Sequence, residues 1–165
     1  REVLSEYPEI AEEIKRTFGE EFFDEKGVLK RKELGNHIFH FPEERKKLEN
    51  IIIPCIKREI FAQISEYAER GESVSVVDAP TLIEHGLHES MDLNVVVWVD
   101  EDTQISRLKK RDNITDAQAR DRLNSQLPLN RKRDYADIII DNSGDIKRTE
   151  EQVNSLVSRI ENNRN

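Results

Sequence analysis

The sequence predicts an α/β fold in which an all-helical segment precedes a parallel sheet. Three observations lead there. Val74–Val77, Val95–Val99 and Ile138–Ile140 are compact apolar runs rich in β-branched residues, which suits strands covered on both faces in a parallel sheet. Helical patterns separate these runs, the alternation expected of an α/β domain of nucleotide-binding type. The first seventy residues, by contrast, read as helices.

Taken in order, Pro8 suits a first helical turn, and Ile10, Ile14 and Phe18 follow at spacing four before Gly19 stops the run. Asp24-Glu25-Lys26-Gly27 is a turn. Lys32 to Phe39 and Pro42 to Ile52 are two short helices, the second opened by Pro and two glutamates. Pro54 to Arg70 predicts a longer amphipathic helix with Ile56, Ile60, Ile64 and Tyr67 on one face, and Gly71 is its C-terminal stop. Val74–Val77 then ends in Asp78, and Pro80 turns the chain onto Leu82-Ile83. Glu101 to Arg111 is helical, Thr115-Asp116-Ala117-Gln118 is a capping-box start for a helix to Gln126, and Ile146 to Ile160 closes the chain.

Composition narrows the class. The chain has 165 residues, 36% charged and 36% hydrophobic, with a net charge of −8. That balance argues against a nucleic-acid binder. The single Cys55 excludes an intramolecular disulfide and suits a reducing, cytoplasmic setting. No apolar run approaches membrane-spanning length, so no membrane partner is expected. An oligomer is compatible with the sequence. The chain opens on Arg1 in mid-pattern, without targeting character, and a preceding segment is expected.

Several fragments, in this order, resemble dephospho-coenzyme A kinases. They are "FGEEFFDEKGVLKRKELGNHIF", "RKKLENIIIP", "VVDAPTLIEHGL", "VDEDTQISRLKKRD", "SQLPLNRKRDYAD" and "IIIDNSG". The family's D-x-P-L-L-x-E segment appears as Asp78, Pro80, Thr81, Leu82 and Glu84, with Thr81 in place of a Leu. Ile53 stands before Pro54 where the family usually carries His. The resemblance implies a P-loop NTPase-type parallel sheet with a helical substrate-binding insert and a small lid. It places the coenzyme A domain at 1–71, the nucleotide-binding core at 72–110 and 136–165, and the lid at 111–135. It also implies ATP-dependent phosphorylation of the ribose 3′-hydroxyl of dephospho-coenzyme A, with Mg²⁺, as the last step of coenzyme A synthesis. The family's G-x-x-x-x-G-K-[ST] loop and the D-A-D segment, whose first aspartate is the expected base, do not occur in these residues. A strand, phosphate loop and helix take about 30 residues.

Phosphoryl transfer needs phosphate-binding amides and a Lys, a metal, an oriented nucleophile and mobile positive charge. Asp78 either carries Mg²⁺ through water or caps the turn that follows it. Arg107 and Arg111 lie four apart on one helix face, and Arg111 matches the family's lid arginine, whose planar fork suits phosphate. Lys109 and Lys110 read as a solvated helix end complementing its dipole. Lys132 and Arg133, within "NRKRD", are either nucleotide contacts or a solvated face. Asn142 follows the third apolar run, in a loop that by resemblance passes near the adenine or is simply a turn. The motif implies Leu82 and Glu84 on the substrate side; Glu84 either pairs with a lid or substrate group or stabilises its own first turn. His37, His40, His85 and His88 lack partners at zinc spacing, and Cys55 reads as packed. Two other classes compete: a catalytically incomplete fragment or scaffold, and a helical interaction module. By either the resemblance or the motif content, the 165 residues alone are expected to bind Mg·ATP weakly.

Overall fold

The computed structural model of the chain describes residues 7–39 and 41–162, so His40 lies outside the described residues. The chain divides into two compact units, one ending at Val77 and the other starting at Asp78.

The first unit is helical. Helix α1, Pro8–Phe18, has Pro at its first position, where the missing N–H costs no hydrogen bond. Its apolar stripe is buried, with Ile14 fully so, and Gly19 at φ +106° ends it. The expected turn forms around Asp24, whose Oδ1 accepts from the N–H groups of Lys26 and Val28, both at 2.9 Å. Helix α2 spans Arg31–Phe39. Ile10, Ile14, Phe18, Phe23, Leu34, Ile38 and Cys55 make one core, with Leu48, Ile51 and Ile52 packed against it. Tyr7 donates to Glu59 at 2.6 Å and so ties the entry of α1 to the next helix.

That next helix corrects the expectation of two. Helix α3 runs unbroken from Pro42 to Glu69 over 28 residues with Pro54 inside it. An internal Pro costs about 3 kcal/mol through a lost hydrogen bond and a clash one turn back. Apolar residues on both sides of Pro54 contact the same core, namely Leu48, Ile51 and Ile52 before it and Cys55 after it. Continuous packing of one face therefore outweighs the local preference to break. The stop is where expected: Gly71 adopts φ +83°, and the Glu72 N–H closes back on the Tyr67 carbonyl at 3.0 Å.

The second unit holds the sheet. Strand β1, Val95–Trp98, and strand β2, Ile138–Asp141, pair in parallel, with Val95 opposite Ile138 and Trp98 opposite Asp141. Between them lie helices α4, Glu101–Asp112, α5, Asp116–Asn124, and α6, Leu129–Lys132. Helix α7, Ile146–Asn162, follows β2 and packs on it. The third predicted strand is not there. Val74–Val77 has no ladder partner among the described residues, and Val76 is 88% exposed. An extended run becomes a strand only when another strand satisfies its backbone. Coverage of the two strands is also partial. Buried Val96 lies beside the exposed Ile139, and buried Ile140 beside the exposed Val97, so each face is covered over one strand only.

The local signals around these strands hold. Asp100 caps α4 by accepting the Thr103 N–H at 2.8 Å. Thr115 and Gln118 form the reciprocal capping box of α5. Gln152 on α7 covers the free edge of β2: its amide oxygen accepts the Asp141 N–H at 2.9 Å and its amide nitrogen donates to the Asp141 carbonyl at 2.8 Å. A side-chain amide thus stands in for a missing neighbouring strand.

Candidate functional site

Asp78 is exposed, and its carboxylate takes no hydrogen bond or ion pair among the described residues. A turn cap would need a nearby N–H, and Pro80 has none to give. The turn closes instead through the backbone, with Leu82 N–H on the Ala79 carbonyl at 3.2 Å and Leu87 N–H on the Leu82 carbonyl at 3.0 Å. Gly86 at φ +70° then leads into a short 3₁₀ turn, Leu87–Ser90. Leu82 is half-buried in this turn.

Glu84 and Lys132 come together. Lys132 is 6% exposed, the one buried charged residue among those described. Its Nζ lies 2.7 Å from Glu84 Oε1 and donates to the Pro80 carbonyl at 2.6 Å. The same Glu84 oxygen accepts the Leu127 N–H at 3.0 Å, while Glu84 Oε2 is buried without a hydrogen-bond partner. Lys132 is therefore not on a solvated face, and its ammonium is already engaged. Its neighbour Arg133 stays exposed, stacked 5.0 Å over Trp98, whose indole N–H donates to Asn130 at 2.8 Å.

The α4–α5 corner has the opposite character. Arg111 forks onto its neighbour Asp112, Nε to Oδ1 at 2.8 Å and Nη2 to Oδ2 at 3.1 Å, with its side chain 74% exposed. Arg122 also pairs with Asp112. The hydrogen bond from Arg111 holds the Asp112 carboxyl below its ordinary range, and raises Arg111 in turn. Asp116 is likewise lowered, first by Lys109 at 3.0 Å and then by Arg120 at 2.8 Å. Asn113 between the two helices sits in the left-handed region at φ +51°, the conformation of a helix stop. Arg107 is exposed and lies one turn before Arg111. Lys109 is thus ion-paired rather than merely solvated.

At the end of β2, the Asn142 N–H extends the ladder to the Trp98 carbonyl at 2.8 Å, and its amide oxygen accepts from Thr149 at 3.0 Å. The amide nitrogen remains as a donor. Asp141 was not singled out by the sequence reasoning, yet it organises the loop. It accepts from the Ser143 hydroxyl and from the Ser143 N–H at 2.9 Å, bonds that lower its pKa, and faces Arg148 at 3.4 Å. The Asp-x-Ser spacing was the available signal, since it marks a side chain bonding two residues on. No cluster of three or more His, Cys, Asp or Glu suited to a metal occurs among the described residues. A lone free carboxylate is consistent with Mg²⁺, which keeps most of its waters and takes its other ligands from phosphates.

A family model described as Dephospho-CoA kinase matches residues 1–148. A Dephospho-CoA kinase of Clostridium perfringens is 50% identical over 157 residues, which is 95% of this chain and 79% of that protein. One of Clostridium tetani is 46% identical over 97% of this chain and 71% of its own length. Among solved structures, a dephospho-CoA kinase from Campylobacter jejuni superimposes with a TM-score of 0.69 at 24% identity, over 99% of this chain and 82% of that one. At that identity the likeness speaks for the fold, and the P-loop kinase fold is the one it gives. The identities of 50% and 46%, over nearly all of this chain, decide the rest: it belongs to the dephospho-CoA kinase family, the kinases of the terminal step of coenzyme A synthesis.

Proposed function

We propose that the chain transfers the γ-phosphoryl group of ATP to the ribose 3′-hydroxyl of dephospho-coenzyme A in the cytoplasm. The observation that carries this reading is the 50% identity to a dephospho-CoA kinase across 95% of the chain. The alternatives of a scaffold or a helical interaction module have no comparable support.

In this reading residues 111–135 form the lid, hinged at Asn113. Arg111 reaches phosphate by exchanging its Asp112 fork for phosphate oxygens of the same geometry, an exchange open to its exposed guanidinium. Arg107, one turn away on the same face, adds positive charge to that approach. Asn142 presents its amide nitrogen to an acceptor on the base edge, its oxygen being held by Thr149. Leu82 serves the coenzyme A side, as the family's motif implies. Mg²⁺, when bound, neutralises phosphate charge, and Asp78 is the residue that would hold it through water.

The test is phosphate transfer from labelled ATP by the complete gene product, with dephospho-coenzyme A against adenosine as acceptors. Transfer to dephospho-coenzyme A at the 3′ position supports the reading, and transfer to neither acceptor overturns it. Asp78→Asn in the complete product should lower kcat by about tenfold or more and raise the Mg²⁺ concentration needed for half activity. An unchanged Mg²⁺ response would remove Asp78 from the metal site.

A further inference from the structure

We infer that Lys132 and Glu84 are positioning residues of the kinase. They form a buried clamp that joins the turn after Asp78 to the 127–132 segment. The inference rests on the reading above for what is positioned, but its geometry stands apart from it. One ammonium bridges the Pro80 carbonyl at 2.6 Å and Glu84 Oε1 at 2.7 Å, and that same oxygen holds the Leu127 N–H at 3.0 Å. Two segments 52 positions apart are thereby fixed through three hydrogen-bonding contacts in a space where the Lys132 side chain is 8% exposed.

Stability alone does not call for a buried ion pair, because apolar residues of similar volume are often as good or better at such a place. What the pair supplies is direction. A buried ammonium and carboxylate tolerate few arrangements, since an unmade contact there goes uncompensated. The clamp therefore sets where Pro80 sits, two residues after Asp78. It also sets where the chain leaves the 111–135 segment, at Leu127 and Lys132. The root of that segment is held firmly, while its other end, at Asn113, is held by exposed ion pairs that water can replace.

Amide hydrogen exchange on the full chain without nucleotide tests the clamp, using Lys132→Met and Glu84→Gln. Lys132→Met should speed exchange at Leu82, Leu87 and Leu127 by roughly tenfold or more beyond whatever change it brings at Val97 and Asn142 in the ladder, which reports the loss of global stability. Glu84→Gln keeps the shape and an oxygen acceptor, so it should fold and give a smaller, equally local effect. In the complete gene product, Lys132→Met should lower kcat by roughly tenfold while the KM for ATP moves less than about threefold. Equal acceleration in the ladder, no acceleration at Leu127, or an unchanged kcat in folded Lys132→Met would each overturn the clamp. Should Lys132→Met fail to fold, the exchange pattern of Glu84→Gln decides alone by the same criteria. Exchange is read without ATP, so absence of phosphate transfer by the unaltered protein counts against the kinase reading and leaves the clamp standing. Loss of the local pattern counts against the clamp and leaves the kinase reading standing.

Discussion

Lys132 meets Glu84 with side-chain exposures of 8% and 18%, whereas Arg111 meets Asp112 with exposures of 74% and 23%. Both are close pairs of opposite charge in the second unit. The cation's access to water separates them, since the two carboxylates are about equally half-buried. A solvated pair exchanges partners at little cost, since the ions are nearly as well served by water or by another anion. A buried pair cannot do so, because each partner left alone is a charge without solvent. The difference teaches how one segment can be tied in two ways: pairs with exposed cations cluster at α4–α5, and the pair with a buried cation lies at α6.

The largest effect should come from leaving one buried charge unpaired. Lys132→Met strands the Glu84 carboxylate and should destabilise the fold by about 3–5 kcal/mol. In thermal unfolding that is a drop of roughly 10 °C for a chain of this size. Removing both charges with Glu84→Gln in the same chain should recover much of the loss. A single Lys132→Met change that leaves the midpoint unmoved would dissolve the contrast between the two clusters.

Next in size is a functional effect without a stability effect. Arg111→Ala in the complete gene product should lower kcat/KM for ATP by roughly tenfold or more while moving the melting midpoint by less than about 2 °C. Lys109→Ala and Lys110→Ala should each change kcat/KM by less than about threefold. Equal losses from all three would make the corner a diffuse positive field, with no special place for the Arg fork.

How far the sequence announces these features depends on how local their causes are. The Thr115–Gln118 capping box, the Pro8 start and the Gly71 stop depend on a few adjacent residues, and each appears where the sequence places it. Pro54 misleads because the force that carries α3 through it is packing on both sides against a distant core, which no local rule contains. Val74–Val77 misleads in the opposite sense. Its composition suits a strand, but a strand is a relation between two segments, and the described residues offer this run no partner. In the candidate site, Arg111 and Asn142 lie at the ends of elements that the pattern predicts, and Arg107 lies one turn inside the same helix as Arg111. A lid partner for Glu84 is among the readings the sequence allows, but not which one, because charge runs such as residues 130–134 usually face water and nothing nearby in sequence marks Lys132 as buried. Its partners are decided by the crossover that returns the chain to β2.

The smallest expected effect concerns pH. Asp112 and Asp116 have carboxyls held below the ordinary value by Arg111 and Lys109 respectively. A depressed folded-state pKa contributes stability that is fully present above the unfolded value, near about 3.9, and is lost as pH falls through the folded value. The melting difference between the unaltered chain and Arg122→Met should therefore be small and flat from about pH 5 to 8, and should shrink below about pH 4. A difference that instead grows on acidification would mean that these carboxylates are not stabilised by their partners.

Hydrogen exchange of the complete gene product with and without Mg·ATP tests the central contrast most directly. The account predicts that nucleotide slows exchange at the α4–α5 corner around Asn113 by roughly tenfold, as solvated pairs trade water for phosphate and the hinge settles. The Leu127 amide, held by Glu84 in either state, should change by less than about threefold. Equal slowing at Asn113 and Leu127, or slowing at Leu127 alone, would contradict the division into a fixed root and a mobile corner.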